Sequence, residues 1–302
     1  MSNITRSNHP KLLWPGIHTL WGKTYAKLPA YHTDMFDMKT SKQAYEEDVE
    51  LTGFGLAPIK TEGAAVAYDD HTQGTVSRYT HATYSLGFII TQEALEDNLY
   101  QSRASQGAEM LAFSMATTRE IVAANVYNRA FNSAYAGGDG KSLIATDHPV
   151  VAGTQSNQLA VAADLSEASL EDMLTQIKKA QNSRGLEIFL QGSKLIIPVE
   201  LEFEAHRILK SALRVGTGNN DLNAIREMGM LPGGVCANNY LTDPDAFFIR
   251  TNAPNGTNGF TRRAPDLVQD NDFDTSNAKM KTSARFVFGW SDFRGVYASQ
   301  GA

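Results

Sequence analysis

Cysteine is almost missing from this chain: its 302 residues hold one, Cys236. That excludes intrachain disulfides and every metal cluster built on paired cysteines. Long apolar runs are missing too. No stretch approaches the roughly 18 uninterrupted apolar residues needed to cross a bilayer. Met1 to Pro10 lack the charged-then-apolar layout of a signal peptide, so synthesis in the cytosol is expected. Strong charge of one sign is also lacking. A net charge of -6 argues against tight nucleic-acid binding through phosphate neutralisation. The chain does have 42% apolar residues, which is enough for a real core in one large or two ordinary domains.

Catalytic motifs are as scarce as cysteine. There is no Gly-x-Ser-x-Gly elbow and no His-Glu-x-x-His, and the seven histidines show no metal-ligand spacing. Gly137-Gly-Asp-Gly-Lys-Ser142 looks like the end of a phosphate loop. The glycine such a loop needs five positions before Gly140 is Tyr135, which leaves a flexible glycine turn. Asp69-Asp-His71 and Asp147-His148 could be drawn as metal ligands, but both lie in clusters of turn formers, where Asp serves the backbone. Glu200, Glu202 and Glu204 suit the positive end of a helix dipole. Cys236, in an apolar stretch, reads as an inert core thiol. The expectation is a protein with no catalytic residues, no metal and no cofactor.

The strongest local signal runs from Gln92 to Phe131. From Gln101 it predicts a single helix on the order of 40 Å long, with one apolar row at Ala104, Ala108, Leu111, Met115, Val122 and Val126. A second row, Met110, Phe113, Ile121, Ala124 and Phe131, predicts a wide buried face. Before it, residues 1–50 carry Trp14, Trp21, Tyr25, Tyr31 and Phe36 among polar residues. They predict one short helix after Pro15 and an arm that cannot bury its aromatics alone. Residues 63–68 and 75–90 are rich in β-formers, with Asp69, Asp70, His71, Thr72, Gln73 and Gly74 between them, and predict a long hairpin. A two-stranded ribbon is marginal alone in water, so it should lean on a neighbouring subunit, and removing 63–86 should leave a folded subunit that no longer assembles.

Further on, a helix is predicted at about 166–182, a strand at 194–197, and a helix opened by Pro198 whose stripe is Leu201, Ala205, Ile208, Leu209 and Ala212. Residues 217–270 read as loop-rich, with short strands at 234–237 and 246–250 and turns at Asn255-Gly256 and Asn258-Gly259. Ala278 to Phe288 alternates cleanly as a strand, and Val296-Tyr297 begins another.

Several segments, in this order, resemble the major capsid proteins of tailed bacteriophages, the HK-ninety-seven-like fold, and most closely the major head subunits of Mu-like phages. They are Ala44–Asp48, Tyr68–Asp70 with Arg78–His81, Glu93–Asp97, Pro198–Glu204, Asn219–Asn223, Tyr240–Asp245, Asp270–Asp274 and Phe288–Gly295. The resemblance implies an α+β fold. It also implies an N-terminal arm (1–48), an extended hairpin reaching over a neighbour (49–88), a peripheral domain with the spine helix (89–189 and 270–302) and an axial domain (190–269). The function it implies is self-assembly as pentamers and hexamers into an icosahedral shell around double-stranded DNA, in the host cytoplasm and then the virion. Implied partners are further copies, a portal and decoration proteins. A spine helix beginning about 100 residues in also implies a separate scaffolding protein. The hairpin tip at Asp69–Gly74 has no Lys, so cross-linking chemistry is not carried over. Two alternatives stand beside this reading: an encapsulin-like nanocompartment shell, and a soluble enzyme with a metal at the turn aspartates and His71 or His148.

Overall fold

The computed structural model describes residues 10–91, 100–213, 222–271 and 277–302. Glu93–Asp97, Arg214, Asn219–Asp221 and Asp272–Asp274 lie outside the described residues. From the N-terminus, α1 (Pro10–Lys27) and the single turn α2 (His32–Met35) lead into β1 (Asp37–Thr40) and β2 (Tyr45–Leu51). Then come β3 (Gln73–Thr80), β4 (Ala82–Ile90) and α3 (Tyr100–Asn128). Short strands β5 (His148–Val150) and β6 (Gly153–Gln155) precede α4 (Glu167–Lys178), β7 (Gly192–Pro198), α5 (Glu202–Lys210) and α6 (Ala224–Glu227). The chain closes with β8 (Val235–Asn238), β9 (Phe247–Thr251), β10 (Thr257–Asn271), β11 (Ala278–Trp290) and β12 (Val296–Ser299).

Two four-stranded sheets carry the body. One has the order β1-β10-β11-β4 and the other β12-β9-β7-β8, while β2 and β3 form a separate two-stranded ribbon. Helix α3 lies across β11 and β4, and α1 packs along α3. Ala108, Leu111, Ala112, Met115, Ala116, Ala123, Ala124 and Tyr127 of α3 are buried. The expected second buried row divides differently: Ala124 is buried and Phe131 half-buried, but Met110, Phe113 and Ile121 face outward, Met110 with 71% of its surface exposed. The alanines let the sheet approach closely, so a narrow strip fills the contact and the bulkier row is turned away from it.

Strand β11 alternates as predicted, burying Ala278, Met280, Thr282, Ala284, Phe286 and Phe288. α4 opens on Ser166, whose hydroxyl accepts from the Ser169 N–H in a reciprocal cap. In α5, Ala205 and Ile208 are buried with Leu201 and Leu209 packed beside them. Among the described residues, no helix is long and apolar enough to cross a membrane.

Strand β10 departs most from expectation, because a loop-rich reading leaves no room for a 15-residue strand. Arg262, Arg263 and Asp266 break its apolar alternation, and Pro265 lacks a ladder donor. Register shifts on either side of Arg263 absorb that irregularity. Asn258 and Gly259 are strand residues and not a turn. A Cβ on Gly259 would sit 2.7 Å from Met38 Sδ and 2.8 Å from the Phe288 ring, so glycine is there to let β1 and β11 close on β10. Gly259→Ala is expected to destabilise the subunit by about 1–3 kcal/mol through overpacking; urea unfolding checks it.

The arm is fastened to the body and buries Trp21 and Phe36 within the same chain. Met35 and Phe36 lie in the core beside Tyr127, Phe248, Phe286 and Phe288. The Tyr127 hydroxyl donates to the Met35 carbonyl at 3.0 Å, and β1 pairs in parallel with the start of β10. Cys236 is buried in this cluster; burial first, then the nearby Asp34 carboxylate, push its thiol up to about 12, consistent with an unreactive thiol.

Candidate assembly surface

Strand β2 is amphipathic in the unusual sense. Glu46, Asp48 and Glu50 turn toward the body, while Tyr45, Glu47, Val49 and Leu51 face outward. Each inward acid has donors waiting. Glu46 accepts from the Ser41 hydroxyl, and Asp48 from Ser291 Oγ at 2.6 Å and Asn258 Nδ2 at 3.2 Å. Glu50 accepts from Ser183 Oγ and from Thr75 Oγ1 at 3.3 Å. β2 is therefore attached through polar groups with its apolar side left to the outside, while β3 seats the buried Tyr79 ring against Phe260 at 5.0 Å.

The strand expected at 63–68 is absent: β3 pairs with 45–51 instead, with Tyr45 opposite Thr80 and Leu51 opposite Gln73. Residues 53–72 form the loop between them, which carries Phe54, Leu56, Ile59, Val66 and Tyr68 outward. Ile59 is 96% exposed and Tyr68 95%. Arg184 of the body holds the returning limb, its Nη2 donating to the Asp70 carbonyl at 2.5 Å and lying 3.9 Å from Asp69 Oδ1, and these five apolar side chains remain exposed. An apolar set of this kind, rimmed by polar residues, is the mark of an interaction surface.

The residues predicted for the hairpin tip lie on the returning limb of this loop. Asp69 organises it: Oδ2 accepts the Gly55 N–H at 2.7 Å and Oδ1 the Asp70 N–H at 2.9 Å. Those two backbone bonds, aided by the Arg184 charge, hold its carboxyl below the usual range. His71 meets Phe54 edge-on at 5.6 Å, and Thr72 bonds with Thr52 across the loop neck. Gln73 and Gly74 are already part of β3. Residues 82–90 pair with β11, so an excision of 63–86 would cut a body strand, and 53–71 is the separable piece.

The glycine turn 137–142 also belongs to this surface. A Cβ on Gly137 would meet the Trp290 ring at 2.2 Å, and one on Gly138 the Val76 carbonyl at 2.4 Å, so this turn is a bed for the ribbon. His148 and Asp147 are engaged as well. His148 Nδ1 lies 2.6 Å from Asp139 Oδ2, its Nε2 3.1 Å from Asn157 Oδ1, and Asp147 pairs with Lys141. Among the described residues, no three His, Cys, Asp or Glu side chains converge as metal ligands.

The family model described as phage capsid protein matches residues 74–299. The chain belongs to that family. This capsid protein is accordingly a structural subunit of a phage shell and not an enzyme. Solved structures share its α+β HK-ninety-seven-like fold at low identity. The capsid of the native GTA particle superposes with a TM-score of 0.56 at 11% identity, over 91% of either chain. A structure from Mycobacterium phage Patience gives 0.53 at 13%, over 99% of this chain and 89% of that one. The virus-like particle from Pyrococcus furiosus gives 0.53 at 10%, over 94% and 98%. None of the curated proteins matches the chain. The expected capsid fold and shell-building role thus hold.

The sequence reading missed β2 as the ribbon's first strand. The available signal was the alternation of Tyr45, Glu47, Val49 and Leu51 against Glu46, Asp48 and Glu50, with its polar face turned inward.

Proposed function

We propose that this capsid protein is the major head subunit of a tailed phage of the Mu-like branch, assembling as pentamers and hexamers into an icosahedral shell around double-stranded DNA. In this reading residues 1–48 are the arm, 49–88 the extended hairpin with its last residues, 82–88, anchored in the body sheet as β4, 89–189 with 270–302 the peripheral domain, and 190–269 the axial domain. The shell forms in the host cytoplasm with a separate scaffolding protein and a portal, and decoration proteins bind afterward. The observation that carries the reading is the apolar loop 53–72 standing free of its own subunit. A second copy supplies the cover it lacks, and many weak contacts of this kind add up over a closed shell. Its Asp69–Gly74 limb is assigned to the inter-subunit contact, with Asp69 setting the loop's shape.

The test is the native mass of the purified chain, with negative-stain microscopy on the same fractions. Pentamers, hexamers or angular shells support the proposal, and nuclease-protected DNA in particles from infected cells separates a phage head from a nanocompartment. A stable dimer or tetramer overturns it. Replacing Phe54, Leu56 and Ile59 together by Ser should change the unfolding free energy of the isolated subunit by no more than about 0.5 kcal/mol per position, as for exposed positions generally. The same change should sharply reduce shell yield. Light scattering during assembly reads the difference.

A further inference from the structure

The ribbon meets the body at a cavity of about 160 Å³ whose lining includes Asp48, Glu50, Asp139, Asp292 and Arg294. Asp48 has Ser291 and Asn258 as donors, Asp139 has His148, and Glu50 accepts from Ser183 and Thr75. Glu50 and Asp292 in addition share one cation. Arg294, only 4% exposed, gives its Nε to the Gln181 carbonyl at 2.7 Å and to Gln155 Oε1 at 3.3 Å. Its Nη1 lies 3.2 and 3.4 Å from the Asp292 oxygens and 3.7 Å from Glu50 Oε1. Glu50 belongs to the ribbon and Asp292 to the turn before β12.

We infer that Arg294 is a shared clasp at the ribbon base, for which Glu50 and Asp292 compete: protonating Asp292 tightens the ribbon's hold, and protonating Glu50 releases it. Coulomb's law gives the direction. With both carboxylates charged, they repel each other and divide a single guanidinium. Once Asp292 is neutral, the repulsion ends and Nη1 is left to Glu50. Burial raises the Asp292 carboxyl, opposed by Arg294 and reinforced by the Glu50 charge. Its folded form therefore holds a proton more readily than the unfolded chain, and acidification through that range favours the folded state.

The remaining ionisable neighbours are Asp48 from β2, Asp139 from the glycine turn, His148 stacked 4.0 Å from Phe293, and Tyr297 on β12. Burial pushes the Tyr297 phenol up to about 12, so it stays neutral throughout. Asp48 and Asp139 keep their own partners. None of them bridges ribbon and body through Arg294.

The experiment is pulsed electron resonance on full-length subunits, with nitroxides at Ala57→Cys on the loop and Lys178→Cys on α4. Both sites are exposed, while Cys236 is buried and stays unlabelled. The distance distribution should narrow on acidification from neutral pH, as the raised Asp292 carboxyl takes up its proton. Asp292→Asn should be narrow already at neutral pH, and Glu50→Gln broad at every pH. The parent pH series decides the matter even if a variant fails to fold. A width independent of pH, or Asp292→Asn as broad as Glu50→Gln, overturns the clasp. Because the measurement is made on unassembled subunits, its failure is distinct from failure of the shell reading.

Discussion

A subunit in which residues 53–71 are replaced by Asn-Gly folds normally and builds no shells. The strands that carry the loop, β2 and β3, pair residue by residue from Tyr45–Thr80 to Val49–Val76, and Thr52 and Thr72 already bond across its neck. A tight Asn-Gly turn suits such a ribbon. The excised stretch includes Phe54, Leu56, Ile59, Val66 and Tyr68, all exposed in the subunit, so its removal forfeits little core. Assembly should fall below detection by sedimentation and microscopy, while near-ultraviolet circular dichroism of the subunit stays unchanged. Loss of the folded signal instead would mean that the loop supports the body.

Glu120→Ala is expected to have the largest effect on stability. Glu120 projects from α3 into the body and is 4% exposed. One oxygen accepts the His32 backbone N–H at 2.9 Å and the other the ring Nδ1 of the same residue. The ring also meets Phe288 edge-on at 5.8 Å. Truncation strands two buried donors at the point where the arm joins the spine helix. Losing one partner of a buried pair costs about 3–5 kcal/mol. Glu120→Gln keeps the shape and one acceptor, so its loss should be nearer the ~1–3 kcal/mol of one unsatisfied group. Denaturant unfolding of the isolated subunit gives both numbers. Equal losses for the two variants would show that shape, not the missing acceptors, sets the cost.

Where apolar periodicity matched burial, the sequence was readable. α3, α4 and β11 follow from spacing, because their core-facing residues are mostly apolar, with Glu120, Ser169 and Thr282 the buried exceptions, and their outward ones mostly polar. Three places did not follow. Met110, Phe113 and Ile121 are apolar but face outward, and composition cannot separate a surface kept for a partner from a core. β10 hides behind Asn258-Gly259, Pro265 and three charged residues, whose cost to the strand is absorbed by neighbours distant in sequence. β2 inverts the usual rule: its acids face in and its aliphatics face out, since the body offers Ser41, Ser183, Ser291 and Arg294 as donors. Ser41 is near in sequence, but Ser183 lies 133 positions from Glu50 and Ser291 243 from Asp48, so no local window could reveal those two. The free loop was legible only as a need for cover; its limits at Thr52 and Thr72 required the register.

The pairing of β1 with β10, and the presence of Met35, Val296 and Ala298 in one core cluster, also bear on timing. Both sheets contain strands from the last part of the chain, and β12 is an edge of the second. The first sheet cannot be completed before β11 is made, nor the second before β12. A topology dominated by such distant pairings folds slowly and late. The arm's docking site thus waits on strands far later in the chain than the arm itself. A chain cut before β12 lacks an edge of the second sheet and, with Val296 and Ala298, part of the cluster that holds Met35.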